Sequence, residues 1–143
     1  MKLSILNGPN LNMLGKRDPD QYGTSTLQDI EKLLIESFPE YEMTFFQSNI
    51  EGELVEAIQS LVESGFDGVI ANFGGYSHTS VAIRDALDLL EIPIVEVHLS
   101  NIHAREDFRE KTLTGAVADG IITGFGKQSY VLGVYAMEEL IGK

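Results

Sequence analysis

The feature that most constrains the fold is a regular alternation of short apolar runs with longer amphipathic stretches. The continuous apolar runs predict buried strands at residues 3–6, 43–47, 68–73, 94–98 and 120–125. Apolar residues at helical spacing predict helices at about 27–38, 54–62, 80–90, 104–111 and 131–141. Ser25 and Gln28 predict a capping box at the start of the first helix. The chain is therefore expected to contain five βα units in succession.

Apolar strands separated by helices predict a parallel sheet that helices cover on both faces. For 143 residues, the simplest such arrangement is a doubly wound, flavodoxin-like α/β fold with strand order 2-1-3-4-5. No repeat or linker interrupts the alternation, so residues 1–143 are predicted to form a single domain. Ligands of such folds bind beyond the carboxyl ends of the strands, near the switch point between strands 1 and 3.

Acidic residues outnumber basic ones by 22 to 10, which gives a net charge of −12. This charge argues against nucleic acid or an anionic membrane surface as a partner, because phosphate groups are bound by positive surfaces. The chain has no cysteine, which excludes disulfides, thiolate metal sites and cysteine nucleophiles. No apolar run approaches the ~20 residues of a membrane span, and the N-terminal one is shorter than the ~7–15-residue core of a signal peptide. We therefore predict a cytoplasmic protein.

Two loops after predicted strands carry residues suited to chemistry. The loop at 7–23 is long for this fold and contains Asn10, Arg17 and Tyr22, which favours a lid, although an ordinary polar loop would also explain its composition. The loop after strand 3 contains Asn72, a glycine pair and His78 at the mouth of a helix, where an anion would be favoured. A glycine turn with a surface histidine is the alternative for this second loop.

The fourth predicted strand carries the stronger signal. The period of two places Glu96 and His98 on the same face, at the end of a strand that should be buried. A carboxylate beside an imidazole favours the protonated ring and fixes its orientation, as a general acid requires. The alternative is a buried pair with a structural role, which is less favoured because buried ion pairs are weak stabilisers.

Two arginines follow this strand. Arg105 and Arg109 are four residues apart and are expected on one face of the short helix 104–111, where they could recognise an anion or hydroxyl groups. The acidic residues around them are expected to form a solvated charged face.

Taken together, these segments resemble the type II 3-dehydroquinate dehydratases. The matching stretches span the chain essentially from end to end: Asn7-Gly8-Pro9-Asn10-Leu11, Arg17-Asp18-Pro19 with Tyr22-Gly23, Gly74-Gly75 with His78-Thr79-Ser80, Glu96-Val97-His98-Leu99-Ser100-Asn101, and His103-Ala104-Arg105-Glu106 with Phe108-Arg109. The chain departs from the pattern at Asp18, Phe73 and Lys111-Thr112, where glutamate, proline or alanine, and histidine-serine are usual.

The resemblance implies a hydro-lyase without a cofactor or metal. It would remove water from 3-dehydroquinate by anti elimination through an enolate, giving 3-dehydroshikimate in the shikimate or quinate pathway. Carried over from the family, Tyr22 is the base and Arg17 stabilises its charged state. Asn10 holds the enolate oxygen through a bound water, and His98, oriented by Glu96, protonates the leaving hydroxyl.

The resemblance also implies how substrate is bound and how the chain assembles. Asn72, His78 and Arg109 would bind substrate hydroxyls, the backbone at Leu99 and Ser100 its carboxylate, and Arg105 would position the lid, while Asp85 would reach a neighbouring subunit's site. The last role follows from the family's assembly as trimers grouped into a dodecamer.

The alternatives fit the residues less well. A Schiff-base dehydratase needs a desolvated lysine, yet no lysine falls within a predicted strand core. A response-regulator receiver needs an aspartate where the chain has Asn72, and Gly8-Pro9-Asn10 is not the phosphate loop of a flavin carrier. No regular spacing places Glu96, His98 and His103 on one face as metal ligands. A binding or scaffold protein that keeps this fold without turnover remains the alternative of another class.

Overall fold

The computed structural model describes residues 1–142 and contains one parallel five-stranded sheet. Its strands are β1 (Lys2–Asn7), β2 (Glu42–Gln47), β3 (Gly68–Asn72), β4 (Ile94–His98) and β5 (Gly120–Thr123). The order across the sheet is β2-β1-β3-β4-β5, and every neighbouring pair is parallel. This confirms the predicted fold class and strand order.

The connections contain six α-helices and four 3₁₀ turns in the described residues. The helices are α1 (Pro19–Tyr22), α2 (Leu27–Ser37), α3 (Glu51–Gln59), α4 (Tyr76–Thr79), α5 (Val81–Leu87) and α6 (Gln128–Ile141). The turns are Leu11–Met13, Ile102–Ala104, Asp107–Arg109 and Gly115–Val117. Across residues 1–142, no helix is both long and apolar enough to cross a membrane.

The core has two halves, one on each face of the sheet. Helices α2 and α6 pack on one face with β1 residues Leu3 and Ile5, whereas α3 and α5 pack on the other with Leu6. Strand β1 thus supplies both halves, as expected for a strand covered on both sides. Strands β3 and β4 are buried along their whole length, while edge strand β2 is nowhere fully buried. The most buried strands therefore lie in the middle of the sheet and end at the same edge.

Two local predictions were wrong. The cap of α2 is formed by Thr26 and Asp29, because the helix begins at Leu27 and places Thr26 at the N-cap, so Ser25 and Gln28 are one position early. The helix predicted at 80–90 is confirmed as α5, with Ser80 as its N-cap, whereas the short helix α4 before it was not predicted. The predicted helix 104–111 is replaced by two 3₁₀ turns, with Arg105 extended between them.

Candidate active site

The carboxyl ends of the three central strands meet at an open cleft of about 550 Å³. Asn7 pairs with Asn72 across the ends of β1 and β3, and the Gly8 amide donates to the Asn72 carbonyl at 2.7 Å. A Cβ at Gly8 would collide with the Phe73 carbonyl, so this close approach requires glycine. Ten of the twelve predicted site residues line the cleft: Asn10, Arg17, Tyr22, Asn72, His78, His98, Leu99, Ser100, Arg105 and Arg109. Glu96 lies beneath it, and Asp85 lies outside.

The loop at 7–23 places the phenol of Tyr22 against two guanidinium groups. Tyr22 ends α1, whose first turn is capped by the Asp18 carboxylate, which accepts from the Asp20 amide at 3.2 Å. Arg17 Nη2 donates to the Tyr22 hydroxyl at 3.0 Å, and the Arg105 Cζ lies 5.1 Å from the centre of the Tyr22 ring. Positive charge at this oxygen stabilises the negative charge that the phenol carries after losing a proton.

Glu96 and His98 are in contact at the end of β4, as their spacing predicts. His98 Nε2 lies 2.9 Å from Glu96 Oε2, and both residues are buried. The other carboxylate oxygen, Oε1, accepts a hydrogen bond from the hydroxyl of Thr114. Each oxygen of this buried carboxylate therefore has a partner, which compensates for its removal from water.

Asn10 is held in a left-handed conformation, with φ 69°, at the first turn after β1. Its backbone amide donates to Asn49 Oδ1 at 2.9 Å, and Gln47 Nε2 donates to the same oxygen at 3.2 Å. Tyr76 donates in turn to the Asn49 carbonyl at 2.8 Å. Asn49 thus ties the Asn10 loop to β2 and to α4, and Asn10 lines the cleft from a fixed backbone.

Asn72 is anchored from below the cleft by Tyr130 of α6. Its Nδ2 donates to the Tyr130 hydroxyl at 3.2 Å, and that hydroxyl donates to Asn7 Oδ1 at 2.6 Å. Asn72 Oδ1 also accepts from the Gly74 amide at 3.1 Å. These contacts fix the Asn72 side chain at the start of the glycine loop.

His78 lies on α4 and faces the ring of His98, with 6.0 Å between ring centres. Its Nδ1 is 2.9 Å from the Lys111 carbonyl, so Nδ1 carries a proton and donates. Burial lowers the pKa of His78 below its ordinary value, against the opposing effect of the Lys111 carbonyl. The ring is therefore neutral at pH 7, with Nε2 left as an acceptor for a hydroxyl group.

Arg105 and Arg109 both reach the cleft although they do not share a helix. Arg105 Nη1 donates to Ser100 Oγ at 3.2 Å, and the Arg105 backbone is extended. Arg109 Nε donates to both carboxylate oxygens of Glu106 at 3.2 Å, and Arg105 Nε lies 3.8 Å from Glu106 Oε1. The Arg109 hydrogen bond lowers the pKa of Glu106, which is exposed, as expected from the sequence, and also pairs with both arginines.

Asp85 is exposed on α5 and is the one predicted residue that lies away from the cleft of its own chain. The three departures from the family pattern have structural roles. Asp18 caps α1, Phe73 is buried in one half of the core, and Thr112 Oγ1 accepts from the Gly115 amide.

Four residues that support the site were not predicted as functional: Asn49, Glu106, Thr114 and Tyr130. Only Glu106 had a local signal, its spacing of three from Arg109. Within the part of the chain that the structure describes, no group of three or more histidine or acidic residues is arranged to hold a metal ion. The cleft can therefore present a phenol beside a guanidinium, an imidazole with its carboxylate, and several hydrogen-bonding groups to one small polar ligand.

The sequence and the fold of the chain are both similar to those of known proteins. Residues 1–138 match the family model described as dehydroquinase class II. The 3-dehydroquinate dehydratase of Fusobacterium nucleatum is 51% identical over 148 residues, which cover 100% of both chains. The type II dehydroquinase structure from Butyrivibrio crossotus has a TM-score of 0.94 at 38% identity, covering 96% of this chain and 97% of the other. That from Propionibacterium acnes has a TM-score of 0.91 at 37% identity, covering 99% and 97%.

Proposed function

The chain belongs to the class II dehydroquinase family, and from this premise we propose that it eliminates water from 3-dehydroquinate to give 3-dehydroshikimate, a step of the shikimate pathway. The observation that carries the proposal is that two pairs of residues in contact meet at one cleft. The pair of Arg17 and Tyr22 is suited to removing a proton, and the pair of Glu96 and His98 is suited to supplying one.

Tyr22 is the proposed base of the first step. Its phenolate oxygen takes a proton from the carbon beside the substrate's ketone, and the electron pair of that C–H bond moves toward the ketone oxygen to form an enolate. The 3.0 Å contact from Arg17 supports this role, because a guanidinium stabilises the phenolate before the step. Arg105, close to the same ring, adds to the positive charge and helps position the lid.

Asn10 is proposed to stabilise the enolate oxygen through a bound water. What supports this role is a backbone fixed by Asn49, since a donor aimed at developing charge contributes most when it does not have to reorganise. The enolate then collapses, the C–O bond to the leaving hydroxyl breaks, and His98 supplies the proton that turns that hydroxyl into water. Glu96 holds the His98 ring for this transfer.

The remaining cleft residues are proposed to hold the substrate. Asn72, neutral His78 and Arg109 bind its hydroxyl groups, and the backbone at Leu99 and Ser100 receives its carboxylate. Three arginines in the cleft make this region positive within a chain whose net charge is −12, which favours a small anionic substrate. No cofactor or metal is required by these steps.

Assembly is the second part of the proposal. We propose that the single catalytic domain, residues 1–143, forms trimers that group into a cytoplasmic dodecamer, and that Asp85 completes the site of a neighbouring subunit. The exposure of Asp85 on α5, away from its own cleft, supports this arrangement.

The test is turnover by the purified chain. Incubation with 3-dehydroquinate in the presence of EDTA, without nucleotide, should produce the ultraviolet absorbance of the conjugated enone of 3-dehydroshikimate. A correctly folded sample that binds 3-dehydroquinate and never produces this absorbance would instead show a binding protein that has kept the fold.

A further inference from the structure

Residues 111–114 form a short segment that contacts one cleft histidine, His78, directly and the other, His98, through Glu96. The Lys111 carbonyl is 2.9 Å from His78 Nδ1, and Thr114 donates to Glu96, the partner of His98. The Leu113 amide donates at 2.7 Å to the carbonyl of Ser77, which precedes His78 on α4. The segment is therefore tied to α4 at one end and to the carboxylate of β4 at the other.

The Thr114 hydroxyl has a defined task in this arrangement. Thr114 is fully buried, Glu96 is 1% exposed, and the two carboxylate oxygens are divided between Thr114 and His98. A carboxylate held at only one oxygen can rotate about its last bond, whereas one held at both has a fixed plane. The direction in which Glu96 presents Oε2 to the imidazole is therefore set from its far side by Thr114.

We propose that Thr114 is a positioning residue for the general acid, which acts through Glu96 on His98 and does not touch substrate. Thr114 does not line the cleft. This inference rests on the proposed function, because it concerns the step in which His98 protonates the leaving hydroxyl. It predicts that the Thr114 hydroxyl contributes to turnover and not to substrate binding.

Thr112 provides a matched control two residues away. Its hydroxyl also makes a hydrogen bond in the same segment, but the partner is the backbone amide of Gly115, at 3.1 Å. Replacing either threonine by valine removes a hydroxyl while retaining the branched shape. Only the change at Thr114 removes a contact to the carboxylate of the proposed acid pair.

The first experiment compares kcat and KM for four proteins: the unmodified chain, Thr114→Val, Thr114→Ser and Thr112→Val. For Thr114→Val we expect kcat to fall about tenfold to a hundredfold, a part of the ~100- to 10,000-fold that a general acid supplies, with KM within about twofold. Thr114→Ser keeps the donor and should retain most of the activity, and Thr112→Val should be close to the unmodified chain. Thr114→Ala replaces the valine variant if that variant does not fold.

A second experiment tests whether Thr114 acts through the acid. In a His98→Ala background, Thr114→Val should change kcat by less than about twofold, because the group that it positions is absent, so the two effects are strongly non-additive. Additive losses, or equal losses from Thr114→Val and Thr112→Val, would show a structural role and overturn the inference. If His98→Ala alone leaves kcat unchanged, the claim that is contradicted is the proposed role of His98 as the general acid.

Discussion

Tyr130 lies on α6, and its hydroxyl contacts Asn7 at the end of β1 and Asn72 at the end of β3. The side chain is fully buried, and burial raises its pKa above the ordinary tyrosine value of about 10. The folded chain therefore favours the neutral phenol more strongly than the unfolded chain does. This contribution to stability is complete below pH ~10 and is lost as the pH rises above it.

We expect Tyr130→Phe to lower the free energy of unfolding at pH 8 by about 1–3 kcal/mol, because Asn7 and Asn72 lose a buried partner. Above pH ~10, this difference should shrink by up to about 1.4 kcal/mol per pH unit, since only the unmodified chain must keep a buried phenol protonated. Urea unfolding across this range measures both effects. Exposed Tyr135→Phe is the control, and a difference that does not change with pH would contradict the account.

Contacts between residues close together in the sequence could be predicted, whereas contacts between residues far apart in the sequence could not. The period of two along β4 places Glu96 beside His98, and the structure confirms this contact. Thr114 reaches Glu96 across 18 residues, and Tyr130 reaches Asn7 across 123. Such distant contacts are decided by how helices and turns pack on the sheet, for which the local sequence of either residue contains no signal.

At the scale of elements, buried strands were predicted most accurately and polar connections least. Strand β4 has the predicted bounds, 94–98, because a continuous apolar run between turns has few other stable arrangements. The segment 104–111 has helical spacing of its arginines but forms two 3₁₀ turns. Arg105 contacts Ser100 and the Tyr22 ring, and tertiary contacts of this kind can outweigh a helical propensity of tenths of a kcal/mol per residue.

The loop at 7–23, the proposed lid, was predicted in position and not in detail. Its unusual length after β1 favours a lid, and Arg17 and Tyr22 contact each other and line the cleft. The short helix α1 that presents Tyr22 was not predicted. Its cap by Asp18 and its proline at the first position are ordinary helix-start signals, but four residues are too few for hydrophobic periodicity to detect.

At the scale of the whole molecule, positive charge is concentrated in the cleft, whereas the chain as a whole is negative. Three of the four arginines line the cleft, although acidic residues outnumber basic ones in the chain as a whole. Asp85 is the proposed exception among site residues, since it is expected to act in a neighbouring subunit. Catalysis is then a property of the assembly.

We expect Asp85→Ala to lower kcat/KM at least about tenfold. The assembly should be unchanged, and twelve chains of 15.8 kDa would sediment as a particle of roughly 190 kDa. Exposed Asp88→Ala, at the end of the same helix, is the matched control. Reassembling Asp85→Ala with Tyr22→Phe subunits should restore part of the activity, because some sites then receive both native groups from different chains. Kinetics of the mixture measure this. A monomeric chain that is fully active would contradict the proposed assembly.

The most direct test of the central claim is the effect of Tyr22→Phe on binding and turnover of 3-dehydroquinate. The substitution removes only the hydroxyl that Arg17 contacts and leaves the ring in the lid. With Tyr22 as the base, enone formation should fall by about 100-fold to 10,000-fold, while the calorimetric Kd for 3-dehydroquinate stays within a few-fold of the unmodified chain. Enone formation by Tyr22→Phe at the unmodified rate would contradict the account, because the proton would then be taken by another group.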